Sequence, residues 1–145
     1  MRRGLLVLVL FTLAGFAFGV ADVHIPAPDR PLVFWVGNIS SLWVILPFLA
    51  GWAERTPAWA AAAGGTTCLA AILGFYRPIT LFTAPGFLFP WLVIATVVGP
   101  AYGMVGSWWR RARSLVAGAA VGVPFIAEPW LWALRMGHVP RPYPI

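Results

Sequence analysis

The chain has 145 residues, of which 61% are hydrophobic and 10% are charged, and its mean hydropathy is +0.84. A soluble domain of this size leaves roughly 40% of its chain surface in water, and ten basic and four acidic side chains cannot cover that area. The composition therefore excludes soluble enzymes and nucleic-acid-binding domains, and it indicates an integral membrane protein. The net charge of +6 comes from arginines in short breaks between apolar stretches, which is typical of a topology signal.

Five stretches with almost no charge approach the roughly 20 residues that a helix needs to cross a bilayer. They cover residues 4–21, 32–53, 58–76, 87–107 and 114–134. We expect one all-α membrane domain over residues 1–145, built as a bundle of about five transmembrane helices. The first stretch also fits a signal peptide that ends before Asp22, but Gly15 and Gly19 give it a helix-packing face, so we keep it as a span.

The fourth stretch is the least regular, because proline and glycine recur throughout residues 79–108. We expect this fourth helix to be broken or kinked, with Gly99-Pro100 as the weak point near its inner end. Residues 79–84 would then form a short interfacial or re-entrant segment.

Arginine positions set the expected orientation in the cell membrane. With the N-terminus in the cytoplasm, the inner breaks hold six arginines and the outer breaks hold four. The cluster of Arg110, Arg111 and Arg113 directly follows a span, where the positive-inside effect is strongest. We therefore expect the N-terminus inside and the C-terminus outside.

Tryptophans give a second indication of depth, because seven of the nine fall near the ends of the expected spans. Indole rings favour this level, where the ring is half buried and the N–H is wet. The exceptions, Trp43 and Trp91, lie deeper, so each needs a neighbouring helix or a cavity partner for its indole N–H.

Common catalytic and cofactor motifs are absent from the sequence: it contains no CxxC, HExxH, GxSxG or phosphate-binding GxxxxGK[ST] pattern. Cys68 is the one cysteine and lies in an apolar stretch, so no internal disulfide can form. Asp22, His24, Asp29 and His138 could in principle gather around a metal on the outer side, but we interpret them as a solvated loop and tail. We expect no cofactor, no metal and no enzymatic activity.

Small residues recur four positions apart, a spacing that lets helices pack closely. The pairs are Gly15/Gly19, Gly99/Gly103 and Gly118/Gly122. They predict a tightly packed bundle, within this chain or with a partner.

Glu128 is the one charged residue inside an expected span, which makes it a candidate functional residue. Pro124 and Pro129 bracket it, and each removes a backbone hydrogen bond, so the carbonyls of Ala120 and Phe125 lose their usual donors. An acid beside freed carbonyls suits a proton, a cation or a polar solute. The alternative is a buried acid that clamps two helices together.

Depth indicates which residues could join Glu128. Glu128 and Asn38 each lie six residues inside the outer end of their spans, or ~9 Å below it at 1.5 Å per residue. Ser41 continues the polar patch of the second span, and Arg77 ends the third span on the same side. Asn38, Ser41, Arg77 and Glu128 therefore form the predicted intramembrane site, with Arg135 as a competing partner for the acid.

Three segments together resemble a known family. They are residues 37–43 (GNISSLW), residues 99–106 (GPAYGMVG) before an arginine cluster, and Ala127-Glu128. Their order is similar to that in a small polytopic bacterial membrane protein family of unknown function. The resemblance implies a multi-span membrane protein and no particular activity.

Two functions follow as expectations. The first is a small solute or ion carrier, or a solute-binding membrane subunit, centred on Glu128. The second is a structural or accessory subunit of a larger membrane complex, in which Glu128 clamps helices. The expected partners are the lipid bilayer and either another membrane protein or a second copy of the chain, and no nucleic acid.

Overall fold

The computed structural model describes residues 2–24, 42–76 and 85–136. In these residues the regular structure is all helical, with five helices and no strand. They are α1 (Arg2–Asp22), α2 (Leu42–Ala53), α3 (Pro57–Tyr76), α4 (Pro85–Ala112) and α5 (Leu115–Met136). The number of helices agrees with the five predicted from the sequence.

Three helices are long and apolar enough to cross a bilayer, judged by length and composition: Arg2–Asp22, Pro57–Tyr76 and Leu88–Ala112. Shorter apolar helical segments cover Trp43–Ala53 and Leu115–Glu128.

Helix α3 forms the centre of the bundle, and it contacts α1, α2 and α4. Its buried positions are mostly occupied by alanine, glycine and threonine, as at Ala63, Gly64 and Thr67. Large apolar side chains lie on the outside instead, including Leu13, Phe89 and Val97. The bundle therefore has a core of small residues and an apolar exterior, the reverse of the usual arrangement in water.

Helices α1 and α3 run in the same direction and touch at backbone distance. A Cβ atom added to Gly15 would overlap the Thr67 carbonyl, and one added to Gly19 would overlap the Ala71 carbonyl. Between these helices the Thr12 hydroxyl donates a hydrogen bond to Thr66 Oγ1 at 2.9 Å. The C-terminal ends of α1 and α3 therefore lie at the same end of the bundle.

Helix α4 runs opposite to α3 and also packs through glycine. A Cβ on Gly99 would overlap Cys68, and one on Gly103 would overlap the Ala60 carbonyl. Helix α2 packs on α4 in the same way, because Gly51 and Gly103 meet backbone to backbone.

The predicted break in the fourth helix is wrong, since α4 is one helix of 28 residues that contains both Pro90 and Pro100. The neighbouring helix leaves room for the Pro100 ring. Gly65 of α3 has no side chain, and a Cβ there would lie 3.1 Å from the Pro100 ring. The proline ring therefore fits against α3 while the helix continues, and the predicted kink stays a prediction.

Helix α5 contacts mainly α4. The Trp109 ring covers Gly118 so closely that a Cβ there would overlap it, whereas nothing lies within 4 Å of a Cβ built on Gly122. In the described part of the chain, Gly122 is thus not at a helix contact, and its predicted packing role stays a prediction. The Tyr102 hydroxyl also reaches α5, where it donates to the Ala120 carbonyl at 3.3 Å.

Candidate functional site

A cavity of about 330 Å³ opens at the end of the bundle where α1 and α3 finish. The parallel packing of α1 on α3 brings Asp22 and Tyr76 to this end. The antiparallel packing of α3 and α4 adds the first half of α4, and α2 begins here. Residues from four helices line the cavity: Asp22, Trp43, Val44, Cys68, Ile72, Phe75, Tyr76, Trp91, Ile94, Ala95 and Val98.

Asp22 is the charged residue among the described residues that line this cavity. Its side chain is only 4% exposed, and it accepts a hydrogen bond from the Trp43 side chain, whose one donor is the indole N–H. The interpretation of Asp22 as part of a solvated loop is therefore wrong. Asp22 follows Gly19 by three residues, so it continues the face of α1 that packs on α3.

Two aromatic rings contact Trp43, and a third contacts one of these two. Its ring meets Phe18 edge to face, with centroids 5.5 Å apart, and meets Phe75 in the same manner at 5.4 Å. Phe75 in turn meets Tyr76 at 4.9 Å. The hydrogen bond to Asp22 thus comes from a donor held in place by ring contacts.

The two tryptophans that the sequence placed too deep for the headgroup level, Trp43 and Trp91, both line this cavity. The indole N–H of Trp43 donates to Asp22, which is the partner that this buried donor requires. Their depth was a signal for the cavity, although the sequence did not show which acid Trp43 meets.

A buried carboxylate among aromatic rings favours a particular ligand chemistry. Its negative charge is costly in apolar surroundings unless a cation or donors compensate it. The electron-rich faces of Trp, Tyr and Phe also attract cations. The cavity therefore has the features of a site for a small organic cation, such as an amine or a quaternary ammonium group.

The predicted intramembrane site lies largely outside the described residues, since Asn38, Ser41 and Arg77 all fall there. Glu128 is half-buried on α5, and it has an interaction partner. The predicted meeting of these four residues stays a prediction.

One of the two carbonyls freed by prolines has a visible role. Pro124 deprives the Ala120 carbonyl of its helical donor, and the Tyr102 hydroxyl takes the donor's place. This carbonyl links α5 to α4. It is thereby engaged in helix packing.

Comparison with known proteins identifies the family. Residues 1–125 match the model of a family of unknown function, DUF6518. The chain belongs to this family. The resemblance to a family of unknown function is thus confirmed, and the cavity residues from Asp22 to Val98 all lie within the matched segment. No curated protein and no solved structure matches the chain.

A second buried acid of this DUF6518 member lies at the opposite end of the bundle. Glu54 follows α2, is 4% exposed, and its Oε1 atom has no hydrogen-bond partner among the described residues. Glu54 lies in a polar break between the predicted spans, and nothing in the spacing indicates that its side chain is buried.

The described residues show no group of three or more His, Cys, Asp or Glu side chains that could hold a metal ion. Asp22 and His24 fall in the described part of the chain, whereas Asp29 and His138 lie outside it. The aromatic cavity at Asp22 is therefore the best-defined candidate site in the described structure.

Proposed function

We propose that this protein is a multi-pass integral membrane protein that binds a small organic cation in the cavity at Asp22. The observation that carries the proposal is the buried Asp22 carboxylate, held by Trp43 in a cavity lined by aromatic rings. This assignment moves the solute-binding role from Glu128 to Asp22.

The apolar exterior supports a membrane location. Large hydrophobic side chains on α1, α4 and α5 are exposed, among them Leu5, Val97 and Leu115. In water such a surface would cause aggregation, whereas lipid chains cover it without cost. We propose five spans in the cell membrane, with the N-terminus in the cytoplasm and the cavity near the outer face.

The size of the cavity limits the ligand. Ligand pockets range from roughly 300 to 1,000 Å³, and this one is near the lower bound at about 330 Å³. A compact cation such as choline or tetramethylammonium suits such a volume. The carboxylate supplies the charge, and the rings of Trp43, Phe75, Tyr76 and Trp91 supply aromatic faces.

Binding is tested on the purified protein in a mild detergent by titration with choline, followed by intrinsic tryptophan fluorescence. Trp43 and Trp91 line the cavity, so their emission reports occupancy. We expect saturable binding of choline and none of 3,3-dimethylbutanol, a neutral molecule of similar shape. Equal binding of the two compounds would contradict a cation site.

Two matched variants decide which acid is responsible. Asp22→Asn removes the charge and keeps the shape, so we expect choline binding to be lost. Glu128→Gln makes the same change on α5 and should leave binding intact. The opposite outcome, with Glu128→Gln inactive and Asp22→Asn normal, would return the site to Glu128.

The accessory-subunit hypothesis has one observation in its favour. Helix α5 contacts chiefly α4, and its large apolar residues Leu115, Val123 and Ile126 are exposed. A protein partner that covers α5 should remain bound in stoichiometric amount during purification in mild detergent. A stable protein that purifies alone would contradict this second function.

A further inference from the structure

We propose that an anionic phospholipid binds at the arginine end of the bundle, with its phosphate on Arg110 and Arg111. This end is opposite the cavity at Asp22. The inference rests on the proposed membrane location and is independent of the cation site.

The fold gathers six exposed arginines at one end. Gly4 of α1 lies against the Trp59 ring of α3, so the beginnings of α1 and α3 lie together. The end of α2 and the end of α4 join them, through the contact of Gly51 with Gly103. The exposed arginines here are Arg2, Arg3, Arg55, Arg110, Arg111 and Arg113.

Negative charge does not offset this cluster at the surface. Glu54 is the acid found at this end in the described part of the chain, and it is 4% exposed. A phosphate approaching from the surface therefore meets guanidinium groups and not the carboxylate. Clusters of four to eight basic residues beside a membrane span are typical of contacts with anionic lipids.

Arg110 is fixed in position before any lipid binds. Its Nη1 atom donates to the carbonyls of Trp52 and Ala53, at 3.2 and 3.1 Å. These carbonyls end α2, where a helix has unpaired acceptors and a partial negative charge. Both bonds use Nη1, and a guanidinium has five N–H donors in all, so Nε and Nη2 supply further donors for a phosphate.

Arg111 is held in a similar way, since its Nε donates to the Ser107 carbonyl at 3.3 Å. Arginine binds phosphate with two parallel hydrogen bonds, and a fixed side chain loses less entropy on doing so. Arg110 and Arg111 follow each other in the sequence and are both tied to backbone carbonyls, so each offers a fixed guanidinium to a phosphate at this end of α4.

Exposed apolar side chains lie beside the arginines. The Trp52 ring, whose own carbonyl binds Arg110, is 47% exposed, and Leu49 lies one helical turn before it on α2. On α4, Trp108 and Met104 are exposed in the same manner. Tryptophan favours the level between headgroups and acyl chains. These side chains therefore suit contact with the part of a lipid next to its headgroup when the phosphate contacts Arg110.

The test uses the full chain in a neutral detergent. Dioleoylphosphatidylglycerol or dioleoylphosphatidylcholine is added, and the number of bound lipids is counted by native mass spectrometry. The midpoint of thermal unfolding is followed by tryptophan fluorescence. We expect one phosphatidylglycerol to remain bound and to raise the midpoint, and phosphatidylcholine and inorganic phosphate to do neither. Equal effects of the two lipids would overturn the proposal, and so would an equal effect of free phosphate.

Single substitutions separate a defined site from a general surface charge. Arg110→Gln and Arg111→Gln should each weaken phosphatidylglycerol binding about tenfold or more, the loss expected for charge-assisted hydrogen bonds. Arg2→Gln removes the same charge at the same end of the bundle and should change binding less than about threefold. Equal losses in the three variants would show a diffuse surface and overturn the defined site.

Two controls keep the result interpretable. Arg110 binds the end of α2, so Arg110→Gln is accepted only if its helical content and its unfolding midpoint without added lipid match those of the unchanged protein. If they do not match, the lipid-binding test depends on Arg111→Gln alone. Choline binding with no lipid preference would refute this inference and leave the proposed function standing. A lipid preference without choline binding would refute the proposed cation site and support this inference.

Discussion

Replacing Trp43 with Phe tests whether the indole N–H stabilises the Asp22 carboxylate. Phe keeps an aromatic ring for the edge-to-face contacts with Phe18 and Phe75, and it removes the donor to Asp22. Hydrogen bonds between membrane helices average about 0.6 kcal/mol, whereas a bond to a charged group contributes about 1.5–3 kcal/mol. The second range applies here because the acceptor is the Asp22 carboxyl group, whose side chain is only 4% exposed.

We therefore expect Trp43→Phe to lower the free energy of unfolding by about 1.5–3 kcal/mol, measured by denaturation in mixed micelles. Trp91→Phe is the matched control, because Trp91 lines the same cavity but its side chain is 42% exposed. That control should lose less than about 1 kcal/mol. In a double-mutant cycle with Asp22→Leu, the cost of Trp43→Phe should largely disappear. Additive effects of the two substitutions would refute the assigned hydrogen bond.

Three further results are expected. Tyr102→Phe should destabilise the protein by about 0.5–1.5 kcal/mol in mixed-micelle denaturation. The cost should be smaller in a Pro124→Ala background, because residue 124 then regains an N–H that can bond the Ala120 carbonyl. The same cost in both backgrounds would rule out this compensation. Gly19→Ala should lower the free energy of unfolding by about 1–3 kcal/mol, because its Cβ overlaps α3. Gly122→Ala should leave the free energy of unfolding unchanged or raise it by up to about 1 kcal/mol. Similar effects at both sites would contradict the packing. Reporter fusions at the α4–α5 turn and at the C-terminus should show opposite sidedness, and equal sidedness would exclude five spans.

The helical architecture was predictable because it depends on composition and segment length, which are local properties. Five apolar stretches indicate five helices whatever their arrangement. Close contacts between helices were harder to predict, because glycine spacing shows which face of a helix can pack but not which helix packs against it. Gly19 lies against α3, whereas a Cβ on Gly122, in a similar pattern, meets no atom of the described residues within 4 Å.

A charged residue usually marks the end of a span, so the sequence predicts Asp22 in a loop, yet α1 continues through it. The charge pattern therefore does not reveal the candidate site. The environment of Asp22 depends on Trp43, on another helix, and no sequence pattern links the two. The depth of Trp43 and Trp91 was the available signal. The packing of Pro100 could not be predicted from its own helix either, because the glycine that accommodates its ring belongs to α3.

The parallel pairing of α1 with α3 has a consequence for biosynthesis. The hydrogen bond from Thr12 to Thr66 joins residues 54 positions apart, and ribosomes add about 5–20 residues per second. In the proposed membrane location, α1 therefore waits roughly 3–11 seconds for its neighbour. The composition suits this order: α1 is the most apolar of the three long helices and the least buried, whereas α3 is the least apolar and the most buried. The first helix made can remain alone in lipid, and the helix that depends on neighbours emerges when one is already present.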